Sequence, residues 1–127
     1  MLALVSLALV LAYFLNAAVF ALLYNGRWNR DPLSFAVAAE SDRQAELKRV
    51  TDMKRREALA ASLRRAVGYE DFFYFSVVTM TTVGYGDMVP NTRAVRRLVY
   101  LQLMLTVLFT AVAIPLFFAA AQRRQSG

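Results

Sequence analysis

Two stretches of this sequence carry no charge over a length that would cross a lipid bilayer: Met1–Tyr24 and Leu98–Ala121. A helix of 24 residues reaches roughly 36 Å at about 1.5 Å of rise per residue, more than the ~30 Å hydrocarbon core. The 127 residues are 58% apolar and 19% charged, against about 45–50% and about 25% in soluble domains. That surplus sits in the two charge-free stretches, so an ordinary soluble globule is excluded. A large internal core is excluded too, because two spans and the piece between them make one small module.

The chain has no Cys and no His. Disulfides, thiolate metal sites and Ser-His-Asp or Cys-His catalysis are therefore out of reach. The expectation is a non-enzyme without a cofactor. Net charge is +6, yet ten of the 15 Lys and Arg lie between Arg27 and Arg65, interleaved with six of the nine acids. That mixture, without a groove-reading motif, argues against a nucleic-acid partner.

Along the chain, Met1–Tyr24 lacks the basic n-region of a signal peptide and stays apolar too long for one, so it reads as a retained span. Tyr24 and Trp28 fall where an interfacial aromatic belt is expected. Asn25–Pro32 is rich in turn residues and breakers, which predicts an end to the helix there. Ser41 with Gln44 has the form of a capping box. Asp42–Val67 has no Gly or Pro and reads as one or two water-exposed helices. Its pairs Asp52–Arg56, Glu46–Arg49 and Lys54–Glu57 would brace it, and Leu47, Val50, Met53, Leu59, Leu63 and Val67 would form a broken apolar stripe.

Asp71–Thr82 is apolar but only 12 residues long, roughly 18 Å of helix and about half a membrane. Val83-Gly84-Tyr85-Gly86-Asp87, which no helix accepts, follows at once. A half-length helix and Gly-rich backbone between two spans is the pattern of a re-entrant loop. Irregular backbone at that depth must be buried in protein or line a watery path. Gly84 and Gly86 permit positive φ, so successive residues can alternate in handedness and turn their carbonyls to one side. Such stacked oxygens can replace the water shell of K⁺ at several adjacent sites.

Thr81-Thr82-Val83-Gly84-Tyr85-Gly86-Asp87 resembles the signature filter of potassium channels, and the order span, pore helix, filter, span resembles the two-helix pore module of prokaryotic channels. The likeness covers about Asp71–Ala121 by motif and Met1–Tyr24 by hydropathy. It implies an all-α membrane protein: two transmembrane helices flanking a re-entrant pore helix and selectivity-filter loop, assembling as a homotetramer. The implied segments are an outer helix at 1–24, an extracellular turret or cap-like helical segment at 25–68, a pore helix at 69–82, the filter at 82–87 and an inner pore-lining helix at 93–121. The chain would lie in a cell membrane among lipid, expected to be a prokaryotic plasma membrane, with both termini cytoplasmic.

The resemblance assigns K⁺ to the backbone carbonyls of Thr82, Val83, Gly84 and Tyr85, with Gly86 completing the strand and the Thr82 hydroxyl at its inner end. Asp87, Tyr74, Phe75, Val78 and Thr81 would support the filter. The pore helix would point its negative end, near Thr81, at a central cavity. Some relatives carry a Glu behind the filter where Val78 stands here, and two tryptophans where Tyr74-Phe75 stand. Phe75 cannot donate to the Tyr85 hydroxyl, whereas Tyr74 can donate to Asp87. Selectivity should survive these changes, but filter stability is put in question.

The lining helix also departs from the family pattern. Relatives often have a glycine hinge in its middle; Thr106 falls near that position. Pro115 removes a backbone hydrogen bond to Ala111 that Thr110 can partly replace. It reads equally as the bend of an inner gate, with Ile114, Phe117 and Phe118 at the narrowest point, or as a tolerated membrane proline. With the family orientation, all Lys and Arg except Arg123 and Arg124 lie outside, against the positive-inside rule. The filter's Asp87 must face outward, so that orientation is kept. No Arg-rich voltage-sensing span occurs, and no ligand-binding domain is visible after Ala121. The competing readings are a K⁺-transporter subunit and a non-conducting membrane adaptor presenting the basic helix 41–67 to a partner.

Overall fold

The computed structural model describes residues 2–125. Met1, the first residue of the outer span, lies outside the described residues, as do Ser126 and Gly127. The chain runs α1 (Leu2–Arg30), β1 (Phe35–Val37), a 3-10 turn (Ala38–Glu40), α2 (Ser41–Arg49), α3 (Met53–Ala66), α4 (Tyr69–Met80), β2 (Met88–Pro90) and α5 (Arg93–Gln125). Two helices, Ala3–Arg30 and Arg93–Arg123, are long and apolar enough to span a membrane. Only 11% and 6% of their apolar windows are buried within the chain. A core helix of a soluble protein would be mostly covered, so these two need lipid or other chains around them.

The first helix does not stop at the turn-rich Asn25–Pro32; α1 continues to Arg30. Gly26 costs helix propensity of about 1 kcal/mol, but the same turn buries Trp28 completely, and that burial outweighs it. The stop comes from Pro32, which disfavours helical geometry at Asp31. The Asp31 carboxylate then accepts from the Leu33 N–H (2.9 Å) and closes the turn.

Tyr24 and Trp28 do not form an interfacial belt. Both are fully buried, because α4 lies along the end of α1 and presents Phe72 and Phe75 to them. Phe35 from β1 fills the space between, its ring 5.7 Å from Tyr24, 5.0 Å from Phe72 and 5.3 Å from Phe75. Leu47, Leu63 and Val67 join this core from α2, α3 and the residue after α3. Met53 is exposed.

The capping box at Ser41 is absent. The 3-10 turn already leads into α2, so Ser41 is itself helical (φ −56°, ψ −42°) and its N–H donates to the Ala38 carbonyl. Gln44 is released from capping and buried instead. Asp52 does not pair with Arg56; its carboxylate caps α3 by accepting from the Arg55 N–H (3.3 Å). Glu46 reaches across the break between helices to Arg55 (2.7 Å) rather than to Arg49.

The half-length helix is α4, ending at Met80 rather than Thr82. Asp71 accepts from the Gly68 N–H (2.8 Å) and fixes its start. α5 is continuous through Pro115 and runs four residues beyond the apolar stretch, to Gln125. β1 and β2 pair antiparallel, Phe35 opposite Pro90, Ala36 opposite Val89 and Val37 opposite Met88.

Candidate functional site

At the end of α4 the chain leaves helical geometry in one residue. Thr81 sits at φ −82°, ψ 0°, with its N–H (2.9 Å) and hydroxyl (2.8 Å) both donated to the Val77 carbonyl. The Thr82 N–H donates to Thr79 and the Val83 N–H to Val78 (3.1 Å each), so the next segment hangs from the last turn of α4. Beyond that point φ is positive at every second residue: Thr82 (60°), Gly84 (55°) and Gly86 (78°). Among the described residues, no carbonyl from Thr82 to Gly86 accepts a hydrogen bond within the chain. Backbone carbonyls left free by their own chain are acceptors for something else.

The positive φ at Thr82 was not legible from residue type. A β-branched residue there is an outlier costing of order 1–3 kcal/mol, and the bonds to Thr79 and from its hydroxyl to Thr81 (2.7 Å) hold it. Val83 and Tyr85 are exposed on the single chain. The Tyr85 ring stacks on Tyr74, 6.3 Å between centroids and 6° between planes. Partial removal from water, and then the charge and hydrogen bond of the neighbouring Asp87, raise the Tyr74 phenol above its ordinary pKa. Val78 and Phe75 are buried behind the segment, Phe75 against Tyr24 and Phe35 rather than against Tyr85.

Behind the segment lies a polar tie that joins three helices. The Tyr24 hydroxyl donates to Gln102 Oε1 (2.6 Å), and Gln102 Nε2 donates to the Ser76 hydroxyl and carbonyl. All three residues are fully buried. No local pattern around Gln102 signals these partners, which lie 78 and 26 residues away.

Below the segment, Met80, Thr82, Leu103, Thr106, Thr110 and Ile114 are among the residues lining a hollow of about 390 Å³. Thr106 donates back to the Gln102 carbonyl, and Thr110 to the Thr106 carbonyl (2.8 Å each). Thr110 is therefore committed one turn earlier than the carbonyl of Ala111 that Pro115 leaves without its usual donor. Phe117 and Phe118 line a different hollow, facing Ser6, Leu9 and Val10 of α1, and Ile114 borders both.

This arrangement of two membrane-length helices, a half-length helix and an extended segment of alternating φ is that of a membrane pore loop. Residues 57–123 match the sequence profile of the ion channel family, and the chain belongs to that family. It is 47% identical over 57 residues to two-pore potassium channel 2 of Arabidopsis thaliana, covering 45% of this chain and 12% of that protein. It is 38% identical over 63 residues to the inward rectifier potassium channel Kirbac3.1 of Paramagnetospirillum magnetotacticum, covering 50% of this chain and 21% of that protein. Two-pore potassium channel 1 of Arabidopsis thaliana is 64% identical over 31 residues, 24% of this chain and 8% of its own. The matches thus span about a fifth or less of these relatives. No solved structure matches significantly.

Proposed function

We propose that this chain is the pore-forming module of a potassium-selective channel. The observation that carries the reading is the run of carbonyls from Thr82 to Gly86 without hydrogen-bond partners among the described residues, on backbone whose φ alternates in sign. Four such strands around one axis would stack rings of carbonyl oxygens, with the Thr82 hydroxyl at the inner end. Neutral carbonyls replace the K⁺ water shell yet bind weakly enough to release the ion to the next site. The C-terminal end of α4 borders the hollow under Thr82, where its partial negative charge favours a cation. The relatives' own names as potassium channels add to this reading.

A homotetramer is required because each chain supplies one strand. The exposed faces of Val83, Tyr85, Leu101 and Met104 are the surfaces that three other copies and lipid would cover. Purified protein in K⁺-loaded liposomes should release K⁺ and exclude Na⁺. An absence of flux would leave the adaptor reading in possession.

Segment 25–68 is assigned to the outer side of a plasma membrane, with both termini cytoplasmic: its strand β1 pairs with β2, next to Asp87, which the filter reading turns outward. A cysteine at Ser62, in a chain that has none of its own, should react with a membrane-impermeant thiol reagent on intact cells. Reaction only after permeabilisation would reverse the orientation.

For the inner gate, Ile114 stands on the pore-side hollow one residue before Pro115. Pro115→Ala restores the missing donor to Ala111 and should shift open probability while leaving K⁺ over Na⁺ permeability unchanged. Identical open probability in single-channel records would place the gate elsewhere.

A further inference from the structure

Resting on the channel reading, we propose that Gln44 is a positioning residue for the outer end of the filter, acting from 43 residues before Asp87 through the strand β1. The Gln44 side chain is buried, and all of its hydrogen-bonding groups are used. Its amide nitrogen donates to the carbonyls of Pro32 (2.9 Å) and Phe35 (2.7 Å). Its oxygen accepts from the Val37 N–H (3.2 Å). One side chain thus holds the backbone of residues 32–37 in a fixed curve. No other element supplies these three bonds.

The curve matters because of what its other edge carries. Phe35–Val37 pairs with Met88–Pro90, and the Ala38 N–H continues the ladder by donating to the Asp87 carbonyl (2.8 Å). That bond lands one residue beyond Gly86, the last position with positive φ. At the far end the Ser34 carbonyl accepts from Asn91 (2.9 Å) and Thr92 (3.3 Å), and the Asn91 side chain donates to Leu33 (2.9 Å). Residues 33–38 therefore strap residues 87–92 along their length. The segment just before Asp87 has no such bracing, since the carbonyls of Thr82–Gly86 have no hydrogen-bond partner among the described residues. An extended segment fixed to α4 at one end needs its other end fixed to keep an unfavourable φ pattern. Asp87 is that end, and Gln44 sets the strand that holds it.

Two variants separate this role from general damage. Gln44→Leu keeps the volume and removes all three bonds. Ala38→Pro removes only the N–H that reaches Asp87. Val37 (φ −113°, ψ 118°) already has the geometry that precedes proline, and Ala38 opens a 3-10 turn. The full-length chain is reconstituted in K⁺ liposomes and read in two ways. Sustained K⁺ current should decay about five- to tenfold faster in both variants, the effect of one or more lost hydrogen bonds on an opening equilibrium. The initial K⁺ over Na⁺ ratio should match wild type in both variants. The melting temperature should match wild type in Ala38→Pro, whereas Gln44→Leu, which leaves three buried backbone groups unpaired, should lower it. Amide hydrogen exchange of a peptide covering 84–90 should quicken by a similar factor in both. If exchange at 84–90 stays at the wild-type rate in both variants, the proposal is overturned. If the wild type passes no K⁺, the channel reading fails, and the exchange measurement still decides whether Gln44 positions this segment.

Discussion

Gly84→Ala is expected to abolish K⁺-selective flux while leaving the chain folded and inserted. Gly84 has φ +55°, and no atom lies within 4 Å of where a β-carbon would stand. The penalty is therefore in the backbone itself and not in a clash with neighbours. For an L-residue in the left-handed region it is roughly 1–2 kcal/mol, and the proposed tetramer would incur it four times. Among the described residues no hydrogen bond resists a relaxation of this residue, because the carbonyls of Thr82–Gly86 accept none. The alanine backbone should revert to negative φ and turn its carbonyl away, which in the proposed filter removes a ring of oxygens from the ion path. Thr82, two residues earlier, tolerates φ 60° only because three bonds hold it: N–H to Thr79, hydroxyl to Thr81, and the following N–H to Val78. Gly84 has no such restraints. Flux assays of the reconstituted variant decide the matter, and an unchanged K⁺ over Na⁺ permeability would refute the filter assignment.

The parts of this molecule that depend on local rules were legible in the sequence. The two spans follow from charge-free length, and the half-length helix from its abrupt end at Gly84 and Gly86. The parts that depend on partners far along the chain were not. Nothing near Gln44 distinguishes a capping residue from a buried anchor; the difference is set by Pro32, Phe35 and Val37 folding back over it. Likewise Tyr24 and Trp28 have the composition of an interfacial belt, and only the arrival of α4 buries them. β1 is three residues long and offers no periodicity to read. Its pairing with β2 is 51 to 55 residues distant, as the register shows. The expected filter-support group divides the same way. Tyr74 does reach Asp87 and Tyr85, whereas Phe75, its neighbour, turns to the opposite side of α4 and into the core.

Phe35→Ala should be the most destabilising single change in the segment between α1 and α4. Phe35 is fully buried and meets Tyr24 and Phe75 edge-on (84° and 82°) and Phe72 at 54°. Those three rings belong to α1 and α4. Removing a buried phenyl ring costs about 3–5 kcal/mol, through lost transfer energy and the cavity left behind. Each edge-on pair adds about 0.5–1.5 kcal/mol to that loss. Polar rescue is not available, since the surrounding groups are aromatic and a cavity of this kind stays dry. The melting temperature of the detergent-solubilised protein should fall by about 10 °C or more. Phe35→Leu, which refills most of the volume, should lose well under half as much. Because β1 leads directly into Ala38, whose N–H donates to the Asp87 carbonyl, the alanine variant should lose sustained K⁺ current at temperatures where α1 and α5 remain helical by circular dichroism. A melting temperature within about 2 °C of wild type would mean that β1 rests on the helices without being part of their core, and the strap would then have no foundation.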